Sequence, residues 1–330
     1  MGISRAKPRK LDLMANMTGV HPLLLDFSYN RKETSAQLHV NFSNVKKVNS
    51  IGLAIFLGLL FLGKKQPENY EVKLIWSKSD SVNQRLHKLG IVALLDTLRL
   101  ENNKGATIDL FDDSIALSEP QTLLADCNIF NANKLQRVIL FYPRLHTTRQ
   151  EALDSFSRSL KNFMEQESPR TFNHEQIIKV FIELAKNTYD HSYGFGVAGL
   201  LISSGKNKAK TIEFVYCDTG EGICQNVRDF LATTSVLKDL AKKGGSMDIL
   251  YKAFEAGFST KFGNGVNHGM GLTLVTQGAA GCGFNVWLRD AESIVDLSGI
   301  KEPYTHAKLR NKFTRTTASR LLMFHFEREM

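Results

Sequence analysis

Glu183-Leu-Ala-Lys-Asn187-Thr-Tyr-Asp190-His191 combines two carboxylates, an amide and an imidazole within nine residues. On a helix, Glu183, Asn187, Asp190 and His191 stand at i, i+4, i+7 and i+8, so four polar side chains share one face. Ile177, Ile178, Phe181, Leu184 and Ala185 recur with the same period on the other side. The helix can therefore pack on a core while it presents polar groups to a pocket. Asparagine is a poor residue for a helix interior, which argues that Asn187 is there for its amide.

Two further segments follow in order. Asp218-Thr-Gly220-Glu-Gly222 closes the apolar run Thr211-Ile-Glu-Phe-Val-Tyr-Cys, which places a carboxylate at the end of a buried strand and a tight glycine turn after it. Gly269-Met270-Gly271-Leu272 ends a stretch with four glycines between Gly263 and Gly271, then opens a helix whose free N–H groups suit phosphate oxygens. Each segment alone is weak, since short glycine motifs recur widely. Their order and spacing together resemble the N box, the Asp-x-Gly-x-Gly box and the Gly-x-Gly-Leu lid box of the Bergerat-fold ATPases. That superfamily includes gyrase, heat-shock chaperones, mismatch-repair proteins and histidine kinases. The resemblance covers about residues 136–330.

The resemblance implies a cofactor, ATP with Mg2+, and a role for each residue. Glu183 is implied as the catalytic base that orients water toward the γ-phosphate. Asn187 is implied as the magnesium ligand, because Mg2+ takes few protein oxygens and keeps its waters. Asp190 and His191 complete the nucleotide-binding face. Asp218 is implied to accept from the adenine amino group, with Gly220 and Gly222 letting the backbone approach the base. Lys261, in a stretch similar to the Thr-Thr-Lys before the histidine-kinase lid, falls near the phosphates. Gly269, Met270, Gly271 and Leu272 form the lid, and Thr317 or its neighbour Thr316 reaches the base region.

The first hundred residues carry a second pattern. Ser35 to Phe42 and Glu71 to Trp76 read as strands, and Ser50 to Gly63 and Ser79 to Leu89 as helices. Asn41-Phe-Ser-Asn-Val45 and Val48-Asn-Ser50-Ile-Gly52-Leu53, with Val82 to Ile91 later, resemble the STAS domains of anti-sigma-factor antagonists. The regulated members carry a hydroxyl residue just before the turn glycine, whereas Ile51 stands there here, so the usual phosphate-accepting position lacks its hydroxyl. Ser50 is expected as a helix N-cap. The fold class expected is α/β: a STAS-like α/β domain, then a Bergerat-fold α/β sandwich made of a mixed sheet with helices on one face. The divisions expected are 1–20, a basic N-terminal segment; 21–97, STAS-like; 98–135, a connector; and 136–330, the ATP-binding domain. In the last, Val138 to Tyr142, Val197 to Ser203, Thr211 to Asp218, Phe284 to Leu288 and Leu321 to Phe326 read as strands, and Arg149 to Glu165 as an amphipathic helix.

Composition bounds the function classes. The 330 residues, 43% apolar and 23% charged, suit a globular chain of two domains. The strongest apolar run, the 12 residues from Ile51 to Leu62, is short of the roughly 20 that a membrane helix needs. No signal-type apolar region follows the basic start, and a cytoplasmic location without membrane association is expected. Cys127, Cys217, Cys224 and Cys282 are scattered, without metal-ligand spacing. The net charge of +9 is dispersed and lacks the interleaved aromatics of base stacking, which disfavours nucleic acid as a partner.

Three functions remain open at this level. The chain is expected to be an ATP-binding regulatory protein, a slow Mg2+-dependent ATPase whose lid closure switches partner binding or homodimerisation, with a protein partner on the STAS-like domain. The alternatives are an anti-sigma-factor-like serine/threonine kinase, in whose family a histidine follows the N-box asparagine by four residues as His191 does here, and an ATP-binding interaction module without turnover.

Overall fold

The structure, a computed structural model, describes residues 9–12, 37–43, 45–60, 71–88, 129–131, 134–143, 148–165, 173–191, 195–204, 210–220, 222–233, 238–254, 271–290, 293–297, 313–315 and 322–329. The fold is α/β. β1 (Arg9–Asp12), β2 (Gln37–Asn41) and β3 (Glu71–Ile75) form a parallel three-stranded sheet in that order. β1 comes from the stretch read from its charge as a basic N-terminal segment, and it pairs in register from Arg9 with Leu38 to Asp12 with Asn41. Helices α1 (Ser50–Leu60) and α2 (Asp80–Lys88) belong to the same part of the chain.

The second sheet has eight strands. They are β4 (Ile129–Asn131), β5 (Lys134–Phe141), β6 (Gly196–Ser204), β7 (Lys210–Asp218), β8 (Asn285–Asp290), β9 (Ser293–Asp296), β10 (Phe313–Arg315) and β11 (Leu322–Glu329), in the order β10-β9-β8-β11-β7-β6-β5-β4. Every neighbouring pair is antiparallel, which corrects the expectation of a mixed sheet. The reason lies in the last strand. The long crossover from β7 to β8 leaves these two strands pointing the same way, but β11 enters between them, antiparallel to both. Between β5 and β6 the chain passes through two helices, Arg149–Met164 and His174–His191, and returns in the opposite direction.

One face of this sheet carries α3 (Arg149–Met164), α4 (His174–His191) and α8 (Gly271–Gly281), with α5 (Ile223–Thr233), α6 (Lys238–Lys243) and α7 (Ser246–Phe254) beside them. Along β6 and β7, Ala198, Leu200, Ile202, Ile212, Phe214 and Tyr216 alternate onto this face and join one core with Phe156, Phe181, Leu184 and Val275. Phe181 packs edge-on against Phe214 and Tyr216. α3 begins at a capping box in which Thr148 accepts from the Glu151 N–H and the Glu151 side chain from the Thr148 N–H.

The opposite face is not bare, contrary to the expectation of helices on one side only. α1 lies across β5, β6 and β7 there. Its residues from Ser50 to Gly58 are all buried, as befits a helix apolar on every side. Ser50 N–H donates to Gln136 Oε1 at 3.2 Å, and Ser50 Oγ donates to the Leu200 carbonyl at 2.6 Å. Gly199 makes the approach close: a Cβ there would stand 2.7 Å from the Ser50 carbonyl oxygen and 2.8 Å from Ala54 Cβ. The expected N-cap is therefore displaced by one residue. Asn49 Oδ1 accepts from Gly52 N–H at 2.8 Å, and the Ser50 hydroxyl is spent on the sheet. Among the described residues, no helix is long and apolar enough to cross a membrane.

Candidate functional site

α4 delivers its polar residues because its other side is fixed. Ile177, Val180, Phe181, Leu184 and Ala185 are fully or nearly fully buried against the sheet, which turns Glu183 and Asn187 toward α8. α8 approaches closely because Gly278 faces Gln176 and Val180, where a Cβ would lie 2.8 Å from each. The start of α8 is thereby set against the polar face of α4. A Cβ on Gly271 would be 3.4 Å from Asn187 Oδ1 and 3.9 Å from Glu183 Oε2. The N-box segment and the last glycine of the lid segment, 84 residues apart from Asn187 to Gly271 in the sequence, meet here.

Glu183 is not free in this arrangement. Its Oε1 accepts from Lys186 Nζ at 2.6 Å, one helical turn along, while Oε2 is the oxygen nearer Gly271. Asp190 is also engaged. Its Oδ2 takes the Arg149 guanidinium at 2.6 Å, and Arg149 lies over the Tyr189 ring at 5.6 Å from its centroid. That pair ties the N-terminus of α3 to the last turn of α4, so the Asp190 carboxylate serves a contact between helices. His191 ends α4, and its side chain lies outside the described residues.

At the end of β7, Asp218 is 4% exposed. Gly220 N–H donates to its Oδ1 at 2.6 Å, and Thr188 Oγ1, one residue past Asn187 on α4, donates to its Oδ2 at 2.8 Å. Thr188 also contacts the Tyr216 hydroxyl at 2.7 Å. Space for that hydroxyl exists because residue 196 is glycine; a Cβ there would overlap the Tyr216 ring tip. Burial first, then the Asp218 charge, holds the Tyr216 phenol well above its ordinary range.

Gly222 supplies the turn the motif promised. Its φ of +85° is open to glycine, and its Cα faces Asp290, whose carboxylate would be struck by any Cβ. Asp290 ends β8, and its Oδ2 accepts from Cys224 N–H at 2.7 Å in the first turn of α5. Burial raises Asp290 from its ordinary 3.8 to about 6, opposed by the Cys224 hydrogen bonds and helped by the Asp218 charge. Cys217, Cys224 and Cys282 are buried thiols, and burial pushes all three upward. They are not nucleophiles.

The structure thus brings together Glu183, Asn187 and Gly271 at one end, and Asp218, Gly220 and Gly222 at the other, linked by the Asn187–Thr188 step of α4. Leu272 packs partly buried against the core. Lys261, Gly269, Met270 and Thr317 lie outside the described residues. Sequence reasoning missed Thr188, Lys186, Tyr216, Arg149 and Asp290. Lys186 was legible from its i, i+3 spacing to Glu183; the others required the fold.

The donor set suits a magnesium nucleotide. Asn187 offers a single amide oxygen beside the start of α8, and among the described residues there is no group of three or more His, Cys, Asp or Glu side chains that could hold a metal ion. Comparison of the chain with protein-family models, with curated proteins and with solved structures finds no match.

Proposed function

We propose that the end of α4, the end of β7 and the start of α8 form an adenine-nucleotide site, within an ATP-binding regulatory protein of the Bergerat type. The observation that carries the reading is the convergence of three distant motifs: Gly271 stands against Asn187 and Glu183, while Thr188 of the same helix holds Asp218. In this reading Asp218 receives the adenine amino group, Asn187 holds Mg2+, and the α8 start faces the phosphates. Glu183 is the base of a slow ATPase, and the segment around Lys261 to Met270 is the lid. Lid closure switches contact with a protein partner on the STAS-like segment or a second copy of the chain. A cytoplasmic location accords with this role.

One observation favours a second reading, an ATP-binding module without turnover. The Lys186 ammonium already occupies Glu183 Oε1, so that oxygen is engaged in an ion pair and not offered to a water. The serine kinase alternative draws no support from Ser50, whose hydroxyl is buried against Leu200. Incubation with γ-labelled ATP and Mg2+ separates the three. Label in free phosphate supports the ATPase, label on a protein serine supports the kinase, and label retained in bound ATP supports the module. Absence of any ATP binding in equilibrium dialysis would refute the site itself.

A further inference from the structure

Asp218 selects a purine as an ionised acceptor held in one orientation, and its surroundings fix that orientation. An ionised carboxylate cannot donate, so the proton in the 2.8 Å contact with Asp218 Oδ2 belongs to Thr188. Thr188 has one hydroxyl proton. The 2.7 Å contact between Thr188 and Tyr216 must therefore be filled by the Tyr216 proton, with the Leu184 carbonyl a longer contact at 3.1 Å. The result is a directed chain, Tyr216 O–H to Thr188 Oγ1, and Thr188 O–H to Asp218 Oδ2, buried throughout. Chained hydrogen bonds polarise one another.

We infer that Thr188 and Tyr216 are positioning residues that determine adenine specificity, by fixing the Asp218 carboxylate as an acceptor that matches the adenine amino donor and repels the guanine O6 acceptor. The inference rests on the adenine-nucleotide reading above. The neighbouring groups agree with it. The Tyr216 phenol is kept protonated by burial and so remains a donor. Gly220 N–H fixes the second oxygen of Asp218 at 2.6 Å, so rotation of the carboxylate is blocked from both sides.

The test is calorimetric titration of the full chain with ATP and with GTP, each with magnesium chloride, for the wild type, Thr188→Val and Thr188→Ser. Thr188→Val keeps the shape and removes the donor. ATP affinity is expected to fall roughly ten- to a hundredfold, the range for a hydrogen bond to a charged group, and the ATP-over-GTP preference is expected to fall with it. Thr188→Ser keeps the hydroxyl and is expected to restore the preference, which a pure packing role of the threonine methyl would not. A preference unchanged in Thr188→Val overturns the inference and leaves the nucleotide site standing. A wild type that binds neither nucleotide overturns both. If Thr188→Val does not fold, Tyr216→Phe carries the test: a several-fold loss of preference supports the chain, and an unchanged preference refutes it.

Discussion

Replacing Gly199 with valine reverses sign depending on where α1 sits. In an open strand face the change is favourable, because glycine is a poor strand residue and valine a good one, a difference of about 1 kcal/mol. In this fold the new Cβ would lie 2.7 Å from the Ser50 carbonyl oxygen, 2.8 Å from Ala54 Cβ and 3.1 Å from Val215 Cγ2. Carbon contacts relax near roughly 3.5–4.0 Å, so α1 would have to retreat by on the order of 1 Å. That movement opens the 2.6 Å bond from Ser50 Oγ to the Leu200 carbonyl, a loss of about 1 kcal/mol. Overpacking of this kind costs roughly 1–3 kcal/mol. Set against the strand gain, the net effect expected is a destabilisation of about 1–3 kcal/mol. Urea unfolding followed by far-ultraviolet circular dichroism measures it, with the midpoint falling in Gly199→Val. A midpoint that rises or stays put would refute the docking of α1 on β6, because the bare-face alternative requires a gain.

Three further expectations follow from the site. Glu183→Ala should keep ATP binding and lose phosphate release, whereas Asn187→Ala should lose the magnesium-dependent part of binding; equal turnover in Glu183→Ala and wild type removes the base from its role. Asp290 has a folded value near 6 against an ordinary 3.8, so its contribution is fully present below about pH 4 and is lost as the pH rises through 6. That is a decline of order 3 kcal/mol. Asp290→Asn should flatten the stability profile in that window, and an unaltered slope in chemical denaturation at pH 4, 5, 6 and 7 would count against the buried carboxyl. With a non-hydrolysable ATP analogue, amide exchange between Gly263 and Gly271 should slow, and α1 should respond as well because it lies on β6 and β7, the second of which ends at Asp218. Lid protection without any change in α1 would separate nucleotide binding from the first hundred residues.

The elements of the site were legible in the sequence because each is a contiguous pattern. The polar and apolar sides of α4, the run of β7 ending in Asp218, and the glycine that opens α8 are set by local periodicity and turn chemistry, and all three appear where the spacing puts them. Periodicity says nothing about α1. A helix apolar on every side has no face to read, so its place on the far side of the large sheet, and the reassignment of Ser50 from cap to tether, depend on Gly199, which is 149 residues away from it. The antiparallel character of the sheet was hidden for a similar reason: it follows from the final strand entering between β7 and β8, a choice made by the end of the chain. Asp190 belonged by spacing to the ligand face, yet Arg149, 41 residues earlier, takes its carboxylate. Thr188 and Tyr216, ordinary residues within a helix and a strand, meet Asp218 only because the fold buries two hydroxyls and a carboxylate together. Patterns along the chain decided which residues could form a site, and the fold decided which of them hold one another.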